Sequence, residues 1–288
     1  MQKTILSELE RRFSRDADVA GALAIPALSA GRTSLEATDL VVMVLSDREL
    51  VDDLGATYMI HHFRIKEVWM SFSRITVEVL SGEHPWVIHW LLEGERIYDP
   101  THKVQQLCSY LDGFPATIRH KKNCIEFSKL LRYHVESKSY LKEGYNLDAF
   151  VSIQQSLQHW ARLAVMDAGK YPQVHLWRQV RELDPGVYKL YKELLDSGES
   201  VEKRSRLVLL AAEYAVLSHM KRYCTYLFCL LEGEAWSVKE LTQRLQRDQV
   251  EIDLGLLLDE SVKRSHVEEI SRHENALCEQ RYRLLVRP

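Results

Sequence analysis

The sequence predicts an α/β domain, then an all-α helical bundle, then a small winged-helix-like domain. Three observations carry this. Over residues 1–115, short apolar runs suited to strands alternate with helical spacings. From about residue 116 the apolar period becomes helical and stays so to about 234. The remaining segment, 235–288, reads as two helices followed by a hairpin.

In order, residues 4–15 place Ile5, Leu6, Leu9 and Phe13 at helical spacing. The short apolar run 21–28 (GALAIPAL) suits a buried strand, and a turn-rich segment, Ser29 to Ser34, follows it. The continuous Val/Leu/Met run in 38–47 (TDLVVMVLSD) reads as a central strand, apolar because both faces are covered. Residues 64–73 read as a third strand, and 74–80 as its continuation or the start of a helix. Residues 85–100 begin as a helix, turn at Gly94 and end in a short strand before Pro100. The helical half places one helix over 123–144, ended by Gly144, and a second from Asn146, read as its N-cap, to near Gly169. A third, 177–198, is broken at Asp184-Pro185-Gly186, and a fourth runs unbroken over 201–233, which together make a four-helix bundle. In the tail, Ser237 caps one helix, Asp253 begins another, and a hairpin turns around His273-Glu274-Asn275.

Composition bounds the function. Net charge is -3, with no global excess of Lys and Arg to advertise nucleic acid. The charge is uneven: 11 Lys+Arg against 17 Asp+Glu over residues 1–115, but 18 against 14 over 116–234. An acidic α/β half and a basic helical half can hold a metal-phosphate ligand between them, although ordinary scatter of surface charge accounts for the same counts. The five cysteines form no CxxC, which fits a reducing compartment. The N-terminus lacks the apolar core of a signal peptide, and no run approaches the roughly 20 apolar residues that span a bilayer. A cytoplasmic protein without a membrane partner is expected.

The chemistry-bearing pattern lies around residues 29–41. Nucleotidyl transfer uses divalent metals held by carboxylates, which bind the triphosphate and activate the incoming hydroxyl. Asp-x-Asp on a strand aims two carboxylates at one point, because residues two apart share a face. A preceding turn with a small hydroxyl residue presents backbone N–H groups to phosphate. Leu28-Ser29-Ala30-Gly31-Arg32, followed by Thr38-Asp39-Leu40-Val41, resembles this arrangement in the nucleotidyltransferase superfamily, the one containing kanamycin nucleotidyltransferase. The resemblance implies Ser29, Gly31 and Arg32 as phosphate-binding residues, with Leu28 in place of the usual glycine. It implies Asp39 as the first metal carboxylate, and Mg2+ as the metal. Val41 stands where the second carboxylate belongs, and valine cannot bind a metal. The third acid of the family corresponds best to Glu67, with Glu78 a weaker match, so Asp39 and Glu67 are the catalytic candidates. Downstream, WLLEGERIYDP is similar to a stretch found after the third strand in this superfamily. KLLRYHVESKSYLKEGYNLDAF resembles the helical substrate-binding domain attached to such enzymes. The three-part order most resembles that of the nucleotidyltransferase-like proteins of Bacillus and relatives, the YgxA type. It implies a nucleotide in a cleft between the first two domains.

Other constellations carry less. His61-His62 with Asp39 lacks a third ligand at metal spacing, and a turn role is simpler. On the helix from 146, Gln154 shares a face with Gln158, and Gln155 shares one with His159 and Arg162; either face suits a nucleotide contact or plain solvation. The Arg-x(4–6)-His spacing of HEPN ribonucleases occurs only from Arg96 to His102, across Pro100, which counts against a ribonuclease. Lys121, Lys122, Lys129, Arg132 and Lys138 form a basic stripe on the first bundle helix; Lys203, Arg204 and Arg206 begin the last. Such stripes hold phosphate or simply face water. Glu126 and Glu136 are bundle carboxylates, and the sequence leaves open whether either completes the metal site. The tail carries Asp253, Asp259 and Glu260 before Lys263 and Arg264 on its second helix, too acidic for a typical groove-reading helix.

The domains expected are thus 1–115, nucleotidyltransferase-like; 116–234, a helical bundle resembling a substrate-binding domain; and 235–288, winged-helix-like. The function expected is a nucleotidyltransferase-like protein with a degenerate metal site, a pseudoenzyme that binds a nucleotide or phosphate-bearing small molecule with little or no catalysis. Two alternatives stand beside it: an active metal-dependent nucleotidyltransferase acting on a small hydroxylated acceptor, and a non-enzymatic regulator that binds DNA or protein through residues 235–288.

Overall fold

A computed structural model describes residues 2–27, 38–48, 54–274 and 277–285. It divides into two compact units, Met1–Pro115 and Ala116–Pro288.

In the first unit, helix α1 (Gln2–Phe13) precedes strands β1 (Gly21–Pro26) and β2 (Leu40–Ser46), then β3 (Leu54–Ile60) and β4 (Phe63–Ser71). Helices α2 (Phe72–Ser81) and α3 (Pro85–Glu93), strand β5 (Glu95–Tyr98) and helix α4 (Lys103–Asp112) complete it. The five strands form one mixed sheet in the order β3-β4-β2-β1-β5, with β2 and β4 parallel and the other pairs antiparallel. Every residue of β2 is buried, which explains its unbroken apolar run. Alternation along the strands assigns the faces. Ala22 and Ala24 of β1, Leu40, Val42 and Val44 of β2, and Ile65 of β4 join Ile5, Leu9 and Phe13 of α1 in one core. Leu23 and Ile25 look the other way. There the turn at Gly94 approaches so closely that a Cβ on residue 94 would lie 2.5 Å from the Trp90 carbonyl oxygen and 3.2 Å from Leu23 Cβ.

The segment 74–80 proves helical. Ser71 caps α2 by accepting from the Arg74 N–H, and Gly82 ends it in the left-handed region. Two elements of this unit have no counterpart among those expected from the sequence. Strand β3 lies at the sheet edge with a register shift between Leu54 and Thr57, so its apolar alternation is broken. Helix α4 buries only Val104 and Leu111 and leaves no clear stripe.

The second unit is built on α5 (Ala116–Glu143), α6 (Asn146–Asp167) and α9 (Val201–Tyr223), with α7 (Leu176–Leu183) and α8 (Pro185–Asp196) packed beside them. Gly144, at φ 86, allows the α5–α6 turn. Asp184 separates α7 from α8 and caps the latter, accepting from the N–H groups of Gly186 and Val187. Two expectations need correction. Asn146 is the first residue of α6 and Tyr145 its N-cap, without a side-chain cap bond. The helix expected over 201–233 divides at Cys224 into α9 and α10 (Thr225–Leu230). The Thr225 hydroxyl donates to the Arg222 carbonyl at 2.7 Å, a local bond that competes with helix continuation.

The tail holds β6 (Trp236–Ser237), α11 (Val238–Arg247), α12 (Leu254–Lys263), β7 (Val267–Glu274) and β8 (Leu277–Leu284). The strands pair antiparallel in the order β6-β8-β7. Two helices and a hairpin in this order are consistent with a winged-helix-like module. Ser237 and Glu240 form a capping box at α11. The tail belongs to the same compact unit as the bundle. The Asp253 N–H donates to Ser128 Oγ of α5 at 2.7 Å, and Lys121 Nζ donates to the Asp248 carbonyl at 3.2 Å.

Among the described residues no helix is long and apolar enough to cross a membrane.

Candidate functional site

Asp39 stands just before β2, exposed, and its Oδ2 accepts the backbone N–H of Arg64 at 2.8 Å. Two residues on, Val41 is fully buried (0% exposed). The parallel register sets Val41 level with Lys66 of β4, while β1 sets Ile25 on its other flank. Lateral neighbours in a sheet point to the same face, so the side chain beside Val41 on β4 is a lysine.

Glu67 occupies the next position on β4, level with Val42, and therefore turns to the opposite face, toward α1. It is buried there (2% exposed) within a set of donors. The Tyr58 hydroxyl donates to Oε1 at 2.7 Å, Trp69 Nε1–H donates to Oε2 at 3.1 Å, and Arg12 Nη2 lies 3.1 Å from Oε1. The Arg12 guanidinium also covers the Tyr58 ring at 4.3 Å. Burial and the bond to Glu67 push the Tyr58 hydroxyl pKa well up. Gly55 lets β3 close on this strand, since a Cβ there would lie 2.4 Å from the Glu67 carbonyl oxygen. The two catalytic candidates are thus not brought together: Glu67 is a satisfied core carboxylate on the far face from Val41. Ser29, Gly31 and Arg32 lie outside the described residues.

The donor set does not fit a two-metal site. Near Asp39, the second carboxylate position is apolar and buried, and its neighbour on β4 is cationic. Among the described residues no group of three or more His, Cys, Asp or Glu is placed to hold a metal ion. Glu78, the weaker match, is also buried and engaged, by Arg74 at 2.6 Å and by His84 Nδ1 at 2.7 Å. His61 and His62 form the β3–β4 turn, with His61 Nε2 3.3 Å from Glu8 Oε1.

The helical unit holds a second polar cluster, between α5 and α6. On α5, Lys122, Glu126, Lys129 and Tyr133 follow one another at helical spacing; on α6, Gln155, His159 and Arg162 do the same. Glu126 Oε2 lies 2.7 Å from His159 Nδ1 and 3.6 Å from Arg162 Nη1. Arg162 Nη1 also comes within 3.4 Å of His159 Nδ1. One ring nitrogen cannot both donate to a carboxylate and accept from a guanidinium. The shorter contact makes Nδ1–H the donor to Glu126, and Arg162 then faces the carboxylate. The imidazole stacks on Tyr133 with ring centroids 5.6 Å apart. Burial pushes the Glu126 carboxyl up, but the His159 bond and the charges of Arg162, His159 and Lys122 hold it below its ordinary value. Burial pulls the Lys122 amine down to about 8; Glu126 opposes this, while Arg162 and Lys129 reinforce it.

The basic stripe of α5 divides on folding. Lys138 meets Glu213 at 2.6 Å, and Lys121 turns to Asp248 of the tail, leaving Lys122 and Lys129 in the α5–α6 cluster. Glu126 is held by His159 within that cluster. Gln154 Nε2 reaches only the Tyr191 hydroxyl, at 3.4 Å. In the tail, Lys263 and Arg264 both pair with Glu260, Arg281 with Glu240, and Arg283 with Glu268. Sequence reasoning missed Lys66 and Arg12 as neighbours of these sites. The alternation on β4 was a signal for Lys66, but only the strand register makes it usable.

The chain matches two family models in succession: "Nucleotidyltransferase-like" over residues 1–119 and "YgxA-like substrate binding domain" over residues 120–219. It is 33% identical to a Bacillus subtilis (strain 168) protein described as "Uncharacterized protein YgxA", over 73% of this chain and 74% of that one. Among solved structures, a nucleotidyltransferase-like protein from Exiguobacterium sibiricum 255-15 is similar with a TM-score of 0.83 and 26% identity, covering 99% of this chain and 98% of that chain.

Proposed function

Because the chain belongs to the family of nucleotidyltransferase-like proteins with a YgxA-like substrate-binding domain, we propose that it binds a nucleotide or phosphate-bearing small molecule with little or no nucleotidyl transfer. One observation carries this reading. Where a second metal carboxylate would stand, Val41 is fully buried between Ile25 and Lys66. A two-metal mechanism clamps both the attacking and the leaving oxygen, and each metal contributes several kcal/mol to the barrier. A single carboxylate beside a lysine holds at most one such ion weakly. The fold usually serves metal-dependent transfer, and these residues retain the frame of the site without its ligand set. What remains suits phosphate: the segment with Ser29, Gly31 and Arg32, read from the sequence as a turn, offers hydroxyl, backbone N–H and guanidinium donors, while Asp39 at the strand start is an acceptor that would reach phosphate through a bound cation.

No observation favours the tail as a DNA reader. Its basic side chains on α12 and β8 are matched by acids, and Asp253 and Asp248 tie it to α5. A structural cap on the bundle is the role that these contacts support.

The test is calorimetric titration of ATP, GTP, CTP and UTP, with and without Mg2+, alongside an assay for transfer of a nucleoside monophosphate. Binding of at least one nucleotide without transfer is expected. Robust metal-dependent transfer, abolished by Asp39→Ala, would establish the active transferase instead. Absence of all nucleotide binding would remove the reading.

A further inference from the structure

We propose that the outer face of α9, centred on Leu207, Leu210 and Tyr214, is a self-association surface, and that its occupant is α9 of a second copy of this chain, laid antiparallel across it. The proposal concerns the helical unit and does not rest on the Asp39 reading.

The exposure comes first. Among the described residues, Tyr214 (77% exposed), Leu210 (65%) and Leu207 (63%) are three of the four most exposed large apolar side chains. Exposed apolar residues scattered singly need no explanation. These three follow at i, i+3 and i+7 and so form one stripe, which Lys203, also exposed, extends by a turn. The opposite side of the helix packs into the bundle. There Ser205, Val208 and Ala212 are buried, and Val208 shares a core with Leu141 of α5 and Ile153 of α6. A helix at the edge of a bundle needs one apolar stripe to hold it in place, and α9 carries two.

The spacing and the charges name the occupant. Positions 203, 207, 210 and 214 alternate steps of four and three, the pattern of a seam between two helices. Set Leu207 level with the partner's Leu210 in an antiparallel two-fold pairing. Lys203 then falls level with the partner's Tyr214, where an ammonium meets a ring face. Arg206 and Glu213 lie seven residues apart on one flank of the stripe. The same register brings Arg206 to the partner's Glu213, twice by symmetry. Both side chains keep exposure for this, 56% and 35%, while engaged at home by Glu202 at 3.0 Å and Lys138 at 2.6 Å. A parallel pairing would set Lys203 against the partner's Lys203 and Arg206 near the partner's Ala211, with no acid in reach. The area is adequate. The three apolar side chains offer roughly 300–400 Å2 per copy, and the stems of Lys203 and Arg206 widen the patch. Doubled by symmetry, this reaches about the 1,000 Å2 of a specific, reversible contact.

The experiment is sedimentation equilibrium of the full-length protein from about 1 μM to about 1 mM. A reversible monomer–dimer equilibrium is expected. Leu210→Glu should weaken it about tenfold or more, and Tyr214→Ala several-fold. Leu147→Glu replaces a side chain that is just as exposed (72%) but lies on α6, and should change it less than about twofold. Circular dichroism checks the fold of each variant. Direction is read separately. Oxidation of a mixture of Lys203→Cys and Tyr214→Cys proteins should give the mixed 203–214 disulfide, identified by mass spectrometry, while neither protein alone should link its own copies at the new site. The proposal is overturned if the wild type stays monomeric throughout, or if folded Leu210→Glu and Tyr214→Ala associate as it does. Association lost in Leu147→Glu and kept in Leu210→Glu would place the contact on α6 and overturn it equally, as would 203–203 and 214–214 links in place of the mixed one. Nucleotide binding is a separate measurement, so either reading can fail alone.

Discussion

Replacing Lys122 by methionine should stabilise the protein at neutral pH, and the gain should fade as the pH rises. Burial pulls the amine from 10.5 to about 8. At about 1.36 kcal/mol for each tenfold change in proton affinity, carrying that charge costs the folded state about 3 kcal/mol at pH 7. Methionine matches the length of the aliphatic stem and removes the charge. That cost is already net of the attraction between Lys122 and Glu126, and in the variant Glu126 keeps His159 and Arg162. A net gain of roughly 1–3 kcal/mol follows. The sign with pH is fixed. Below pH 8 both states of the wild type carry the proton and the full cost applies. Between about 8 and 10.5 the folded amine is neutral while the unfolded one is still charged, so wild-type stability rises with pH relative to Lys122→Met. Urea unfolding followed by far-ultraviolet circular dichroism at pH 7 and at several higher values gives the difference between the two proteins. That difference cancels the cysteines and tyrosines that titrate in the same range. A variant less stable than wild type at pH 7, or a difference that stays constant as the pH rises, would refute the reasoning.

Other outcomes follow from single contacts. Glu67→Ala leaves the Tyr58 hydroxyl, the Trp69 indole N–H and the Arg12 guanidinium without their shared acceptor, so about 2–4 kcal/mol should be lost in chemical denaturation. Because Glu67 faces away from Val41, Glu67→Gln should leave nucleotide binding within about twofold of wild type by calorimetry, whereas a metal ligand would lose far more. Gly94→Ala forces a methyl to 2.5 Å from the Trp90 carbonyl oxygen, and a loss of about 1–3 kcal/mol is expected in the same unfolding assay. Ser237→Ala breaks the capping box of α11, which should cost about 1 kcal/mol and speed amide exchange in the first turn of that helix.

Much of the fold was legible because its signals are local. The β2 run was apolar throughout, Gly144 and Asp184 punctuate helices, and Ser237 with Glu240 writes a capping box in sequence. Strand β3 was not legible, because an edge strand with Gly55 and a register shift carries no clean alternation. The site was less legible than the fold. Val41 in place of an acid is visible at once. That Glu67 faces away requires knowing that Leu40 lies level with Ile65, and slipping the register by one residue would reverse the conclusion. The basic stripe was equally plain, but a stripe does not say which lysine will find an acid. Lys138 finds Glu213 some 75 residues along the chain, and Lys121 finds Asp248 127 residues away. Such pairings are tertiary facts.

The pairing of Val41 with Lys66 bears on whether this strand can be converted into a metal-binding one. Val41→Asp would supply the absent carboxylate level with an ammonium group on the adjacent strand. The new acid would close onto that lysine as an ion pair before it could wait for a cation from solution, and it would do so from a position that packing now fills with methyl groups. Two changes, not one, separate this strand from a competent pair of acids, since Val41→Asp alone is neutralised by Lys66 and loss of Lys66 alone adds no ligand. The present arrangement is therefore insulated from single-step reversal.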